Sequence, residues 1–253
     1  MKFYKFGKED NPSIILIHGM LTPWQIWMPH IDHFSKKYYV IVPVIGGHDE
    51  TAVSKFHSIE DEAAQIENHM LEINKKHIFA VCGLSLGGAI SYRLKANGKL
   101  NIQYLIMDGA PLCPFGKLLT SIMTKNYLQI VQKSKLRDKK TIENFKKFFL
   151  PERFLDSYLK IADNMEDSSV IRAVSETASN MFSIPIPNNG SGIVYVYGTA
   201  LNELLSKQSA KYLSKKYTDS TVIKLKGSSH CHKAIYEPNE WLAVIESYLL
   251  KSR

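Results

Sequence analysis

The stretch Val81-Cys82-Gly83-Leu84-Ser85-Leu86-Gly87-Gly88 has the residue types and spacing of a nucleophile site. An apolar run that reads as a strand leads straight into Gly-x-Ser-x-Gly, and helical sequence follows from Leu86 to about Ala96. A serine at such a strand-to-helix turn stands on a strained bend, and the flanking glycines let neighbouring backbone approach. The helix that starts there aims free amide N–H groups and the positive end of its dipole at the serine. A serine hydroxyl is a weak nucleophile until a base takes its proton, so a histidine is required elsewhere. His230, in Leu225-Lys226-Gly227-Ser228-Ser229-His230 after a late strand, meets that need. An imidazole titrating near neutrality can accept the serine proton and return it to a leaving group. Gly-x-Ser-x-Gly alone is weak, arising by chance in roughly one chain of this length in ten. Its strand-and-helix context and two further motifs carry the reading.

The first of those is Ile15-Leu16-Ile17-His18-Gly19-Met20-Leu21, a strand ending in His-Gly. The second is the Gly227-Ser228-Ser229-His230 turn, followed by Pro238 and a closing helix. With the serine motif, they resemble the α/β-hydrolase family along nearly the whole chain. The resemblance implies Ser85 as nucleophile, His230 as general base, and an oxyanion hole built from the backbone N–H groups of Met20 and Leu86. Such donors stabilise the negative charge of a tetrahedral intermediate by roughly 3 kcal/mol each. The family's His-Gly histidine is generally structural, which implies the same for His18. His48, His57 and His232 are weaker base candidates. His230-Cys231-His232 lacks a carboxylate or cysteine cluster at ligand spacing, so no metal site is expected.

The family's acid ordinarily stands in a Gly-x-x-Asp turn after the strand preceding the last one, and here the sequence departs. Tyr197-Gly198 is followed by Thr199-Ala200-Leu201-Asn202-Glu203, which puts Leu201 at the acid's place. Glu203, two residues on, is the nearest carboxylate and the expected third member. Asp108, after Tyr104-Leu105-Ile106-Met107, matches a minority arrangement with the acid one strand earlier and stays open as the alternative. Adjacent strands lie about 4.8 Å apart, so an acid beside the histidine strand has the shorter path.

These residues need a sheet to hold them. Strands are expected at Lys2–Phe6, Ser13–Ile17, Tyr39–Val44, Ile78–Cys82, Tyr104–Met107, Ile193–Tyr197 and Thr221–Leu225, most of them nearly continuous apolar runs. Strands covered on both faces by helices look like that. Between them Ala63, Ile66, Met70 and Ile73 recur at helical spacing over Ile59–Asn74, behind a capping Ser58. Trp241, Val244, Ile245 and Leu249 give the closing helix from Pro238 one apolar face. The fold class expected is α/β: a mostly parallel central sheet, helices on both faces, and a helical cap inserted between core strands. The core comprises residues 1–111 and 188–253. Residues 112–187, helical, basic and spiked with Tyr127, Phe145, Phe148, Phe149 and Tyr158, form the cap and end in a Pro/Asn/Gly connector through Gly190. Gly46-Gly47-His48 resembles the family's structural glycine-rich loop, and Trp24 and Trp27 are core or pocket wall.

Composition narrows the alternatives. With 45% apolar and 22% charged residues, the chain is an ordinary globular one, and its apolar runs are too short to span a bilayer. The net charge of +8 is concentrated: Lys117–Lys160 holds 11 Lys/Arg against 4 Asp/Glu. No zinc spacing, RNP aromatics or GXXG clamp accompanies it, so a solvated lysine-rich face is expected and no nucleic acid partner. An anionic substrate, acyl carrier or membrane surface is the other way to use that charge. Three scattered cysteines without a CxxC pair, and no apolar leader in Met1–Lys5, point to the cytoplasm. The expected function is that of a serine hydrolase cleaving a carboxylic ester, a thioester or an amide through an acyl-enzyme, without cofactor. Its partner is a small acyl substrate; the oligomeric state is not legible. The rival is a sensor that binds ligand on the same scaffold without turnover, favoured by the displaced acid.

Overall fold

The computed structural model describes residues 1–187 and 192–249, apart from the side chain of Phe148; the last residues of the expected connector, Asn188–Gly190, lie outside them. Seven strands, β1 (Lys2–Phe6), β2 (Ser13–Ile17), β3 (Tyr39–Val44), β4 (His77–Leu84), β5 (Asn101–Asp108), β6 (Ile193–Gly198) and β7 (Thr221–Leu225), form one sheet in the order β1-β3-β2-β4-β5-β6-β7. β1 runs antiparallel to β3, and every other pairing is parallel. Helices α1 (Met28–Phe34), α2 (Ile59–Glu72) and α3 (Leu86–Asn97) follow β2, β3 and β4. Four helices, α4 (Lys117–Lys135), α5 (Lys139–Phe148), α6 (Leu155–Asn164) and α7 (Asp167–Thr177), are inserted between β5 and β6. The chain closes with α8 (Leu204–Lys216), the short α9 (His232–Tyr236) and α10 (Pro238–Leu249).

The sheet separates two apolar cores, because successive side chains on a strand point to opposite faces. Ile15, Ile17, Val81, Leu105 and Tyr195 join one core with α2 and α3 residues such as Ala63, Ile66 and Ala89. Ile14, Leu16, Ala80, Cys82, Ile106 and Val196 join the other with Ile31 and Phe34 of α1 and Trp241 and Ile245 of α10. Burial on both faces is why these strands are continuously apolar rather than alternating.

Register sets the functional edge. Ile17 pairs with Gly83, Leu84 with Asp108, Asp108 with Val196, and Gly198 with Leu225. The C-terminal ends of β2, β4, β5, β6 and β7 therefore share one edge of the sheet, where a parallel α/β sheet presents its ligand crevice. Among the described residues no helix is long and apolar enough to cross a membrane, and no group of three or more His, Cys, Asp or Glu residues could hold a metal ion.

Candidate active site

Ser85 stands between β4 and α3 with φ 51° and ψ −114°, a backbone state that L-residues adopt only under strain. The turn is tied down on both sides. The Ser85 amide donates to the Asp108 carbonyl of the next strand at 2.8 Å, and the Ser85 carbonyl accepts from Gly88 and Ala89 at 2.9 and 3.1 Å. Gly87 has no alternative: a Cβ there would overlap the carbonyl oxygens of Ile17 and His18. Its absence lets α3 sit close on the end of β2. Among the described residues the Ser85 hydroxyl has no hydrogen-bond partner, and Ser85 and His230 line one cavity.

His230 lies in the loop after β7, with its side chain 32% exposed while the Glu203 side chain beside it is 1% exposed. Nδ1 of His230 is 3.1 Å from Oε1 of Glu203. A carboxylate only accepts, so Nδ1 carries the proton and Nε2 keeps a lone pair free for the serine proton. Gly109 lies flat under this ring: with φ 65°, it has no Cβ to meet His230 Cε1 at 2.6 Å. Burial works against the imidazolium, but the Glu203 hydrogen bond and the negative charges of Glu203 and Asp108 outweigh it. His230 is held above its ordinary pKa.

The displaced acid reaches its place through a turn. The segment after β6 is pinned to the loop after β7 by Thr199 N to Leu225 O at 3.2 Å and Ala200 N to Ser228 O at 3.1 Å. A single 3-10 turn, Leu201–Glu203, follows, closed by Glu203 N to Ala200 O at 3.0 Å. Leu201, at the family's acid position, is 89% exposed, whereas Glu203 is turned inward. Asp108 is also buried, but its Oδ2 accepts from Trp241 Nε1 at 2.9 Å and its Oδ1 has no partner among the described residues. Burial, reinforced by the Glu203 charge, pushes its carboxyl up to about 7. Of the two acids, Glu203 is the one hydrogen-bonded to His230.

Opposite Ser85 runs the segment His18–Thr22. Among the described residues neither the Met20 nor the Leu86 amide has a hydrogen-bond partner, so both N–H groups are free to donate. Leu21, in the left-handed region at φ 56°, donates its amide to Nε2 of His48 at 2.9 Å. His48 Nδ1 lies 3.0 Å from Gly46 O. His18 repeats the pattern, with Ile45 N donating to Nε2 at 3.1 Å and Nδ1 3.0 Å from Gly19 O. An imidazole that accepts at one nitrogen and donates at the other is neutral. Burial agrees, lowering His18 to about 3 and His48 to about 4. Neither histidine has a nitrogen left for Ser85. His57 contacts Arg172, and His232 contacts Glu237 and stacks on Tyr236. Trp27 is core and Trp24 stacks on Tyr4; neither lines the cavity.

Of the other walls, Tyr127, Phe145 and Phe149 belong to the aromatics expected in the cap, whereas Ile130 and Cys231 were not foreseen from the sequence. Tyr127 and Ile130 of α4, with Phe145 and Phe149 of and just after α5, close over Met20, Leu21 and Ser85. Cys231, left-handed at φ 52°, points its thiol at the same Asp108 carbonyl that receives the Ser85 amide, 3.3 Å away. Nothing in local composition marks these contacts, because each joins elements far apart in sequence.

No protein-family model matches the chain. It is 29% identical over 102 residues to a pimeloyl-[acyl-carrier protein] methyl ester esterase of Legionella pneumophila, a match covering 40% of this chain and 38% of that protein. It is 26% identical over 117 residues to the uncharacterized carboxylesterase nap of Bacillus subtilis, covering 43% of this chain and 37% of the relative. The match thus spans well under half the length of either curated relative. A solved structure of an alpha/beta hydrolase family protein from Desulfitobacterium hafniense superposes with a TM-score of 0.77 at 18% identity, covering 98% of this chain and 100% of that one. Sheet order, strained serine turn and whole-chain superposition agree: this chain has the α/β-hydrolase fold.

Proposed function

We propose that the protein is a serine hydrolase cleaving carboxylic esters through an acyl-enzyme, with Ser85, His230 and Glu203 as its triad. The observation that carries the proposal is the strained Ser85 sharing one cavity with His230, whose far ring nitrogen is held by a buried carboxylate. The esterase names of both curated relatives support the choice of ester. His230 Nε2 takes the Ser85 proton as Oγ bonds to the carbonyl carbon, and the Met20 and Leu86 amides hold the oxyanion. Collapse breaks the ester C–O bond, and the proton on Nε2 passes to the departing alkoxide. Water then repeats the sequence on the acyl-enzyme and releases the acid. Thioesters and amides fit the same steps with a different leaving group. Residues 112–187 act as a cap over the cavity, and no step calls for a cofactor. The three free cysteines, all buried, suit a reducing compartment.

With Glu203 hydrogen-bonded to His230, the displaced acid no longer favours a non-turnover sensor. The test is hydrolysis of p-nitrophenyl butyrate by wild type and Ser85→Ala. Loss of the nucleophile is expected to lower kcat by up to about a million-fold. Ser85→Ala keeping a substantial fraction of turnover would refute the assignment, and ligand binding without turnover by wild type would restore the sensor.

A further inference from the structure

The cavity that Ser85 lines is partly open to solvent and has a volume of about 50 Å³. One water needs roughly 10–15 Å³ on this measure, so the space takes about three to five non-hydrogen atoms. Its outer wall is braced. The Phe149 ring stacks on Phe145 at 5.4 Å and 17°, and Phe145 stacks on Tyr158 at 3.9 Å and 13°. Tyr158 in turn shares a 2.7 Å hydrogen bond with Ser134 of α4, the helix that carries Tyr127 and Ile130. Among the described residues, the side chains this insertion contributes to the wall (Tyr127, Ile130, Phe145 and Phe149) carry no charge, and their one polar group is the Tyr127 hydroxyl.

In the hydrolase reading above, on which this inference rests, the alcohol leaves while the acyl group stays bonded to Ser85. The acyl group is therefore the part that must fit the cavity. We infer that the site selects small uncharged acyl groups of about two to four carbons, with Phe149 setting the upper limit. Phe149 ends the ring column and is 43% exposed, while Phe145 beneath it is 2% exposed. Removing the outer ring opens the cavity toward solvent and leaves the base of the column in place.

The experiment compares kcat/KM for p-nitrophenyl acetate, butyrate, hexanoate and octanoate in wild type, Phe149→Ala and Phe149→Trp, with fluorophosphonate labelling of Ser85 alongside. Wild type should prefer acetate and butyrate and lose at least about tenfold by octanoate. Phe149→Ala should raise the octanoate-to-butyrate ratio by about tenfold, and Phe149→Trp should move the limit to shorter chains. A wild-type profile that is flat or rising to octanoate, or a ratio unmoved in both variants, overturns the inference while leaving the hydrolase intact. Absence of both labelling and turnover of any ester overturns the hydrolase reading, and the inference with it.

Discussion

At the scale of single residues, two buried carboxylates compete for one histidine, and geometry separates them. Glu203 meets the His230 ring, whereas Asp108 meets Trp241 and is pushed up to about 7 by burial and by Glu203. Glu203→Gln is expected to depress kcat strongly, because it removes the charge that stabilises the imidazolium; the analogous loss in a serine protease costs about 10⁴. Asp108→Asn should change kcat little. The pH profile adds a sign. A base works deprotonated, so kcat/KM should rise with pH through the His230 pKa, held above 6.5 in wild type. Without the Glu203 charge that midpoint should move down, and an unmoved midpoint would return the role to Asp108. The carboxylate that meets His230 was half legible in sequence. Glu203 could be named as the nearest carboxylate after Gly198, but not the 3-10 turn that hides it and leaves Leu201 89% exposed.

At the scale of elements, the strands were legible because burial on both faces makes each an unbroken apolar run. Four of the seven have the bounds expected from sequence; β4 (His77–Leu84) and β5 (Asn101–Asp108) extend past theirs at both ends, and β6 runs one residue further, to Gly198, because polar and small residues at strand ends interrupt the apolar run without ending the pairing. The helix after Ser58 stops at Glu72 rather than Asn74, which takes a left-handed conformation at φ 57°. The partner of the His18–Thr22 segment could not be read, because His48 and Leu21 are 27 residues apart and belong to loops after different strands. On the proposed mechanism His48 is a positioning residue: it holds the Leu21 amide, next in the chain to the Met20 amide proposed as an oxyanion donor. His48→Ala should lower kcat by about 10- to 100-fold with KM little changed, since a donor aimed at the transition state matters only there. His48→Gln, which keeps an acceptor, should recover part of the loss. Equal falls in kcat for both variants, or a change confined to KM, would mean that the loop is merely structural.

At the scale of the whole molecule, the sheet gathers Ser85, His230 and Glu203, the proposed nucleophile, base and acid, from the ends of β4, β7 and β6 onto one edge, and the inserted helices line the cavity above it. The same insertion also carries the chain's excess positive charge, with 11 Lys/Arg against 4 Asp/Glu over Lys117–Lys160. That basic, aromatic insertion was legible as a helical cap, but not which of its side chains face Ser85, because the docking of α4 and α5 depends on contacts no local pattern encodes. The reading of the molecule depends on Ser85 being a nucleophile activated by His230 in the intact fold. The direct measurement is reaction of the full chain with a fluorophosphonate probe, followed by peptide mapping. The adduct should sit on Ser85, disappear in Ser85→Ala, and form far more slowly in His230→Ala. No adduct at Ser85, or an adduct formed at an unchanged rate without His230, would contradict it.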